Sequence, residues 1–377
     1  MNGKIKLSKS CISKSEKDAV LKVLDNEYLG MGNEVQKFEN TLTDFFGRPT
    51  VCVSTGTAAL HLALQAVGVG IGDEVLVQSI TYVSSFQAIS ATGATPVACD
   101  IDSESLCIDW KDAEKRLTRK TKAIMPVHYA GGVGRLNEIY EFANKHGLRV
   151  IEDAAHAFGT IYEGKEVGGF GDISCFSFDG IKNITSGEGG CIVTDNEIIL
   201  QKIRNARLLG VENDTDKRFS GKRSWIFDVN SQGWRYHMSN IMASIGIAQF
   251  QKKELLFSKR RSAAKHYDEK LNNRSDIKRI NHNYDLVVPH IYVLRIPSLK
   301  NREGLINFMS DHGIEVGKHY YPNHLLNFYK ANNPNLKLSI SESLWPTLIT
   351  LPLHPDLDKQ EVDYITDMLL NNIKKYC

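Results

Sequence analysis

Short apolar runs alternate with helix-period stretches from about residue 20 to residue 250, and this alternation constrains the fold more than any other feature of the chain. Two of the helical stretches are Thr57–Val67 and Leu136–His146. Repeated alternation of strand and helix is typical of a mainly parallel sheet that is covered by helices on both faces. The sequence therefore predicts an α/β fold with strands at Val51–Ser54, Glu74–Ser79, Thr95–Asp100, Ala123–Val127, Arg149–Glu152, Ile173–Phe178 and Gly190–Thr194.

The pattern changes near residue 238, where residues 238–261 read as one long helix with Ser239 as its N-cap. We expect a large domain at residues 1–250, which includes an N-terminal arm, and a small α+β domain at residues 251–377. The polar, aperiodic stretch 211–227 predicts an exposed loop. The elements expected in the small domain are a strand at Ile291–Ile296 and helices at Arg302–His312 and Lys359–Lys375.

The overall charge and the cysteine pattern exclude several classes of function. Lys and Arg number 46 against 44 Asp and Glu, so neither a nucleic acid nor an anionic membrane is an expected partner. No apolar run approaches the ~20 residues of a membrane span, and the basic start lacks the apolar core of a secretory signal. The seven cysteines are scattered without a CxxC pair, so we expect no metal site. The cytoplasm fits these features best.

A candidate phosphate site lies where the first strand turns into a helix, in the run Ser54-Thr55-Gly56-Thr57-Ala58. Gly56 permits close approach of a ligand, and the N–H groups of Thr57 and Ala58 lie at a helix N-terminus, which favours an anion. The alternative is an ordinary N-capped helix. The run is not a Walker loop, because the G-x4-G-K-[ST] spacing is absent.

Two further segments place chemistry at the ends of strands. Asp153 follows the apolar run at 149–152, and a carboxylate there could hold a pyridine nitrogen protonated, with His156 beside the same ring. Lys182 follows the next strand and precedes a glycine-rich turn, where a partly desolvated amine could form a Schiff base, while Ser177 could reach a phosphate. The alternatives are a helix-capping Asp153, a structural His156 and a solvated surface lysine.

The fourth segment is the aromatic and basic run that contains Trp234, Arg235 and Tyr236, just before the long helix. It could deliver a cation or an amide to a phosphate, including one in a neighbouring subunit. The alternative is a loop that packs its aromatic side chains onto a domain boundary.

Taken together, these segments resemble the sugar aminotransferases of the DegT/DnrJ/EryC1/StrS family, which use pyridoxal 5'-phosphate (PLP) and have the aspartate aminotransferase fold, called fold type I. The resemblance covers nearly the whole chain and implies that the large domain binds PLP. Its motifs occur in order as EYLGMGN (27–33), STGTAALHLAL (54–64), GDEVLVQSITYVSS (72–85), ATPVACDID (94–102), PVHYAGG (126–132), EDAAHAFG (152–159), SFDGIKNITSGEGG (177–190), GWRYHMSNI (233–241) and GKHYYPNH (317–324).

The resemblance implies a role for each matching residue. Lys182 matches the Schiff-base lysine, which also moves the proton between the two carbons, and Asp153 matches the partner of the pyridine nitrogen. The remaining cofactor contacts fall to Gly56, Thr57, Ala58 and Ser177 at the phosphate, Tyr82 stacked on the ring, and His156 beside the ring oxygen.

The loop 233–241 looks like the family's loop that reaches the cofactor phosphate of a neighbouring subunit, so the resemblance implies a homodimer with its active sites at the interface. Arg235 stands where the family commonly has an asparagine, and Asp179 replaces a frequent histidine. Both departures affect detail and neither removes a covalent step.

The expected substrate is a nucleotide-linked 4-keto-6-deoxyhexose, with glutamate as amino donor. Our first choice is dTDP-4-keto-6-deoxyglucose, converted to dTDP-4-amino-4,6-dideoxyglucose for a surface polysaccharide of the O-antigen type. The alternatives are UDP- or GDP-linked sugars and amination at C3; the run GKHYYPNH could also be an interface strand and turn. The residues expected to bind the sugar nucleotide are Tyr28, His319, Tyr320, Tyr321, Asn323 and His324.

Three other functions are compatible with parts of the pattern. A PLP-dependent sugar dehydratase of the same family would have histidine in place of Lys182. A regulator that binds the cofactor without catalysis would not need the lysine, the aspartate and the phosphate site together. A nicotinamide-dependent oxidoreductase would need G-x-G-x-x-G after an early strand, which the sequence lacks.

Overall fold

Alternating strands and helices make up most of the computed structural model, which describes residues 4–272 and 274–377. The strands are β1 (Thr50–Val53), β2 (Glu74–Gln78), β3 (Thr95–Cys99), β4 (Thr121–Met125), β5 (Arg149–Asp153), β6 (Ile161–Tyr162), β7 (Lys165–Glu166), β8 (Ile173–Ser177), β9 (Gly190–Val193), β10 (Lys278–Arg279), β11 (Tyr292–Arg295) and β12 (Leu348–Leu351). The helices are α1 (Lys14–Asp25), α2 (Asn33–Phe46), α3 (Gly56–Ala66), α4 (Ser84–Ala91), α5 (Trp110–Lys115), α6 (Leu136–His146), α7 (Glu197–Ala206), α8 (Thr215–Phe219), α9 (Asn240–Gln251), α10 (Lys253–Lys270), α11 (Arg302–Asp311), α12 (Asn327–Lys330), α13 (Ser339–Leu344) and α14 (Lys359–Asn372).

The main sheet has seven strands in the order β1-β9-β8-β5-β4-β2-β3, and each of the seven predicted runs forms one of them. Residues alternate between its two faces, as a strand requires. Val75 and Val77 pack with Leu60 of α3 on one face, whereas Leu76 packs with Ile139 of α6 on the other. Both faces are therefore covered by helices, and the predicted α/β fold class is confirmed.

One strand of this sheet runs against its neighbours. β9 is antiparallel to both β8 and β1, so β1 has the same direction as β8 and as the parallel strands beyond it. Val53 and Ser177 both pair with Gly190, which puts the ends of β1 and β8 at the same level. The start of α3, the end of β5 and the end of β8 therefore meet at one edge of the sheet.

The C-terminal region has its own antiparallel sheet, in the order β10-β11-β12. Its core includes Tyr267 of α10, Leu305 of α11 and Ile365 of α14. Ile5 near the chain start also packs into this core and pairs with Ile314. The domain division at residue 250 stays a prediction.

The region 238–261 corrects the sequence-based prediction of one long helix. Ser239 caps α9 as predicted, because its side chain accepts the Met242 N–H at 3.3 Å. The helix then breaks at Lys252, whose φ of −111° and ψ of 16° are not helical, and α10 follows. The Lys252 ammonium pairs with the buried Glu16 of α1. This break lets α9 pack against α1 and α2, while α10 packs against α14.

Two other features bear on the sequence-based expectations. The stretch 211–227 contains the short helix α8, so it is not entirely a loop, although Trp225 and Ile226 are almost fully exposed. Within the described ranges, every helix is too short or too polar to cross a bilayer.

Candidate active site

A cavity of about 440 Å³ opens where α3, β5 and β8 meet at the edge of the main sheet. Residues from the C-terminal region close its other side, among them His290 and Tyr320. The sequence-predicted residues that line it are Gly56, Thr57, Tyr82, Asp153, His156, Ser177, Lys182, His319 and Tyr320. Most of the predicted site is therefore brought together in one place, although the role of each residue stays a prediction.

One end of the cavity is rich in hydrogen-bond donors. The first-turn N–H groups of Gly56 and Thr57 have no acceptor within α3, because a helix leaves its first N–H groups unpaired. The Ser177 hydroxyl accepts the Asp179 N–H at 3.3 Å and keeps its own proton to donate. A Cβ on Gly56 would lie 2.7 Å from the Ser177 Cβ, so only glycine lets these donors converge. Such a group of donors is suited to a phosphate.

Ala58 is an exception within this predicted phosphate site. Its N–H already donates to the Thr55 side chain at 3.0 Å, and Ala58 does not line the cavity. The expected contact from Ala58 to a phosphate is therefore corrected, because Thr55 is the N-cap of α3 and uses that N–H group.

Asp153 presents a buried carboxylate at the end of β5. The Ser85 hydroxyl donates to one oxygen at 2.7 Å, and the Ala155 N–H donates to the other at 3.2 Å. Burial raises the pKa of Asp153, while these two hydrogen bonds and the nearby Lys182 oppose the rise. The side chain is thus fixed from behind, and a cationic partner in the cavity would favour its charged form. Ser85 was not anticipated from the sequence.

Lys182 places its amine in the same cavity. Burial lowers the pKa of Lys182 to about 8, against the opposing charges of Asp153 and Asp179. About a tenth of the amines would then be neutral at pH 7, which is the form that attacks a carbonyl. The Lys182 Nζ lies 3.5 Å from His290 Nε2.

His290 is a site residue that sequence reasoning missed. It stands as one polar residue within the apolar run LVVPHIYVL, and that position was the available signal. Its ring lies 4.3 Å from the His156 ring, between centroids, and burial lowers the pKa of both far below the ordinary value. Both imidazoles are therefore neutral near pH 7. Tyr320 completes this group, since its hydroxyl is 3.2 Å from His156 Nε2.

Several residues predicted to bind the substrate lie elsewhere. Asn323 is buried, and its amide donates to the main-chain oxygens of Ser79 and Thr81. Both ring nitrogens of His324 are also used within the protein, by Ser79 at 2.6 Å and by Glu342 at 3.1 Å. The prediction that these two side chains bind substrate is corrected, because their polar atoms hold the 323–324 turn against the end of β2.

Tyr321 and Tyr28 also lie outside the cavity. Tyr321 is partly exposed and packs edge-on against Trp345. The main chain of Tyr28 accepts the Asn240 side-chain amide at 2.8 Å, at the start of α9. Neither tyrosine is among the residues that line this cavity of its own chain.

Arg235 is exposed and does not reach the cavity of its own chain. Its neighbours in the loop hold the segment against α3: Trp234 Nε1 donates to Gln65 at 2.9 Å, and the Trp234 and Tyr236 rings stack with centroids 5.8 Å apart. The Trp234 and Tyr236 rings therefore pack as the alternative interpretation of this loop predicted. Arg235 instead lines a separate, smaller pocket together with Asp214 and His237.

The residues present fit the cofactor that the resemblance implies. PLP needs an amine, an anionic partner for its ring nitrogen and donors for its phosphate, and Lys182, Asp153 and the start of α3 with Ser177 supply these. An independent sign of a missing partner is His156 Nδ1, which is buried without a hydrogen bond to any described residue.

Comparisons with known proteins agree with this geometry. A model of the DegT/DnrJ/EryC1/StrS aminotransferase family matches residues 10–370. An uncharacterized protein of Methanocaldococcus jannaschii, MJ1066, is 36% identical over 364 residues, which cover 93% of both chains. The PLP form of Spr1654 from Streptococcus pneumoniae, assigned as a sugar aminotransferase, has a TM-score of 0.91 at 28% identity, over 99% of this chain and 100% of that one. Helicobacter pylori PseC, an aminotransferase involved in the biosynthesis of pseudoaminic acid, has a TM-score of 0.89 at 27% identity, over 99% and 100%.

Proposed function

The chain belongs to the DegT/DnrJ/EryC1/StrS aminotransferase family of PLP-dependent sugar aminotransferases, and from this premise we propose that it aminates a nucleotide-linked keto-sugar in the cytoplasm with glutamate as amino donor. The observation that carries the proposal is the meeting of the Lys182 amine, the Asp153 carboxylate and the donors of Gly56, Thr57 and Ser177 in one cavity. A family dehydratase is disfavoured because Lys182 is retained.

The protein side chains have separate tasks in this reaction. When bound, PLP supplies an electron sink for the charge that develops at the reacting carbon. Lys182 would hold the cofactor through its amine, and the same amine would move the proton from the donor carbon and to the sugar carbon. Asp153 balances the charge of a protonated ring nitrogen. His290 Nε2 lies 3.5 Å from Lys182 Nζ and can accept a hydrogen bond from the neutral amine, which would orient it in the cavity.

The charge of the cavity supports a contribution from a second copy of the chain. Among the described lining residues, Lys182 is the only lysine or arginine, whereas Asp153, Asp179 and Glu188 are acidic. The diphosphate of a nucleotide-linked sugar therefore needs cations from residues that do not line this cavity. The exposed Lys222, Arg223 and Arg235 are suitable when presented by a partner.

A homodimer with shared sites follows from this argument, and mixing two inactive variants tests it. Lys182→Ala and Arg235→Ala subunits, refolded together, should regain part of the activity, because one mixed dimer site would have both residues. An active monomer in sedimentation, or no regained activity, would refute the shared site.

The proposed sugar is a dTDP-linked 4-keto-6-deoxyhexose, aminated at C4 for a surface polysaccharide of the O-antigen type. His319 and Tyr320 line the cavity and supply polar groups to it. The test is a panel of dTDP-, UDP- and GDP-linked 4-keto-6-deoxy sugars and the 3-keto isomer, with glutamate as donor. We expect the dTDP-4-keto sugar to react fastest, with NMR locating the new C–N bond at C4. Amination at C3, or preference for another nucleotide, would overturn the substrate and leave the aminotransferase chemistry in place.

A further inference from the structure

Arg260 of α10 is a buried cation that the proposed reaction does not use. Its side chain is 1% exposed, and no described Asp or Glu forms an ion pair with it. Burial lowers the pKa of Arg260 to about 10, so the guanidinium is still charged at pH 7. A buried charge without a counter-ion is unfavourable unless its donors are matched by other polar groups. The hydrogen-bond acceptors around this guanidinium therefore indicate its role in the protein.

Main-chain oxygens from three separate segments take the place of a counter-ion. Nη1 donates to His290 at 3.2 Å and to Leu353 at 3.3 Å. Nη2 donates to Ile181 at 3.0 Å and to Lys182 at 3.4 Å. Only a planar guanidinium directs donors along two edges in this way, and a lysine ammonium could not reach all four oxygens.

Two of these segments carry the side chains that meet in the cavity. Lys182 Nζ and His290 Nε2 lie 3.5 Å apart, and the guanidinium holds the main chain of both residues. The Leu353 contact attaches this pair to the segment after β12. One side chain outside the cavity thus links the main chains of the two residues whose amine and imidazole meet inside it.

The positive charge of Arg260 also affects the pKa values of Lys182 and His290. Burial is the main cause of the lowered pKa of Lys182, and the positive charge of Arg260 adds to it. The same holds for His290, where burial is again the larger cause and Arg260 contributes. A guanidinium in this position therefore favours the neutral forms of both groups.

We propose that Arg260 is a positioning residue for Lys182, which fixes the lysine and His290 main chains so that amine and imidazole face each other. This inference rests on the proposed function, because it takes Lys182 as the reacting amine. The alternative is a role in folding only, through the tie to Leu353.

Two variants separate these roles. Arg260→Lys keeps the charge and loses the four-way contact, whereas Arg260→Met loses both. The matched control is Arg207→Lys, since Arg207 is equally buried but binds Glu39 and the Cys52 oxygen and does not line the cavity. Each full-length protein is assayed for turnover and substrate KM. The cofactor-free protein is labelled with trace acetic anhydride over a pH series, and the Lys182 peptide is quantified by mass spectrometry.

We expect both Arg260 variants to lose roughly 10- to 100-fold in turnover with KM nearly unchanged, because a displaced amine affects proton transfer more than binding. In Arg260→Met the pKa of Lys182 should rise, so that its labelling at pH 7 slows by roughly threefold to tenfold. Arg260→Lys should keep nearly the wild-type labelling profile, and Arg207→Lys should change neither quantity in the folded protein.

The remaining outcomes overturn the positioning role. Turnover of Arg260→Lys within about threefold of wild type would overturn the positioning role. If Arg260→Met does not fold, the turnover of Arg260→Lys alone decides between the two roles. Failure of both variants to fold, or losses that match Arg207→Lys, would assign Arg260 to folding. The labelling experiment contains no PLP, so it gives the Arg260 result even if the wild-type protein forms no lysine adduct and the proposed function fails.

Discussion

The two walls of the cavity are built in different ways. The sheet wall consists of residues at the ends of β1, β5 and β8, and its position follows from strand direction and register. The C-terminal wall consists of loop residues such as His290 and Tyr320, which depend on contacts with distant parts of the chain. Polar residues in the sheet wall face the cavity, whereas neighbouring polar residues in the second wall divide between cavity and core. A strand end therefore predicts a position in the cavity better than a cluster of polar residues in a loop does.

The largest effect is expected in the sheet wall, at Lys182. Lys182→Ala should lower turnover by at least about 10³-fold, because no other amine among the described lining residues can bind the cofactor covalently. Borohydride reduction followed by peptide mass mapping should locate the pyridoxyl group on Lys182. The exposed Lys165 is the matched control, and Lys165→Ala should keep both the adduct and the activity. An adduct on a different peptide would contradict the assignment.

A second large effect is expected at Asp153. Asp153→Asn removes the negative charge and retains the shape, so the protein should still bind PLP and lose roughly 100-fold in the proton-transfer rate. Single-turnover absorbance measurements give that rate directly. Asp311→Asn, at an exposed position, should behave as wild type. A rate for Asp153→Asn within a few-fold of wild type would mean that another group protonates the ring.

The smallest effects test the division within the C-terminal wall. Asn323→Ala should lower the free energy of unfolding by about 2 kcal/mol with KM unchanged, because it leaves the Ser79 and Thr81 oxygens without a donor.

Tyr320→Phe should change turnover several-fold and the free energy of unfolding by less than about 1 kcal/mol, since its hydroxyl contacts His156 in the cavity. Urea unfolding and initial rates measure both quantities. The reverse pattern would remove the distinction between the walls.

The sheet wall was predictable because each element follows from local periodicity. The runs around Asp153 and Ser177 are apolar strands that end in polar residues, and parallel strands bring such ends to one edge. The start of α3 followed for the same reason, although the capping contact of Thr55 with Ala58 is visible only in three dimensions. The glycine of that turn signalled a close approach, and its neighbour is Ser177.

The second wall and the helix break could not be predicted in the same way. A polar residue in the run GKHYYPNH can bind a substrate or a main-chain oxygen that is distant in sequence. The residue type alone does not distinguish these two partners. Asn323 binds oxygens at positions 79 and 81, and no local pattern records that pairing. Similarly, residues 238–261 are helical throughout in pattern, and the break at Lys252 accompanies its pairing with Glu16 of α1.

The reversed direction of β9 has a consequence for the order in which the site can form during folding. Because β9 returns directly beside β8, the Lys182 segment lies in a hairpin whose strands are joined by a short stretch of chain. Contacts that are local in sequence form faster on average than distant ones. The phosphate end instead requires β1 to pair with β9 from a remote part of the chain. We expect the lysine hairpin to gain hydrogen-exchange protection before α3 docks, so that PLP can be bound at both ends only late in folding. Pulse-labelling that finds protection in α3 first would reverse this order.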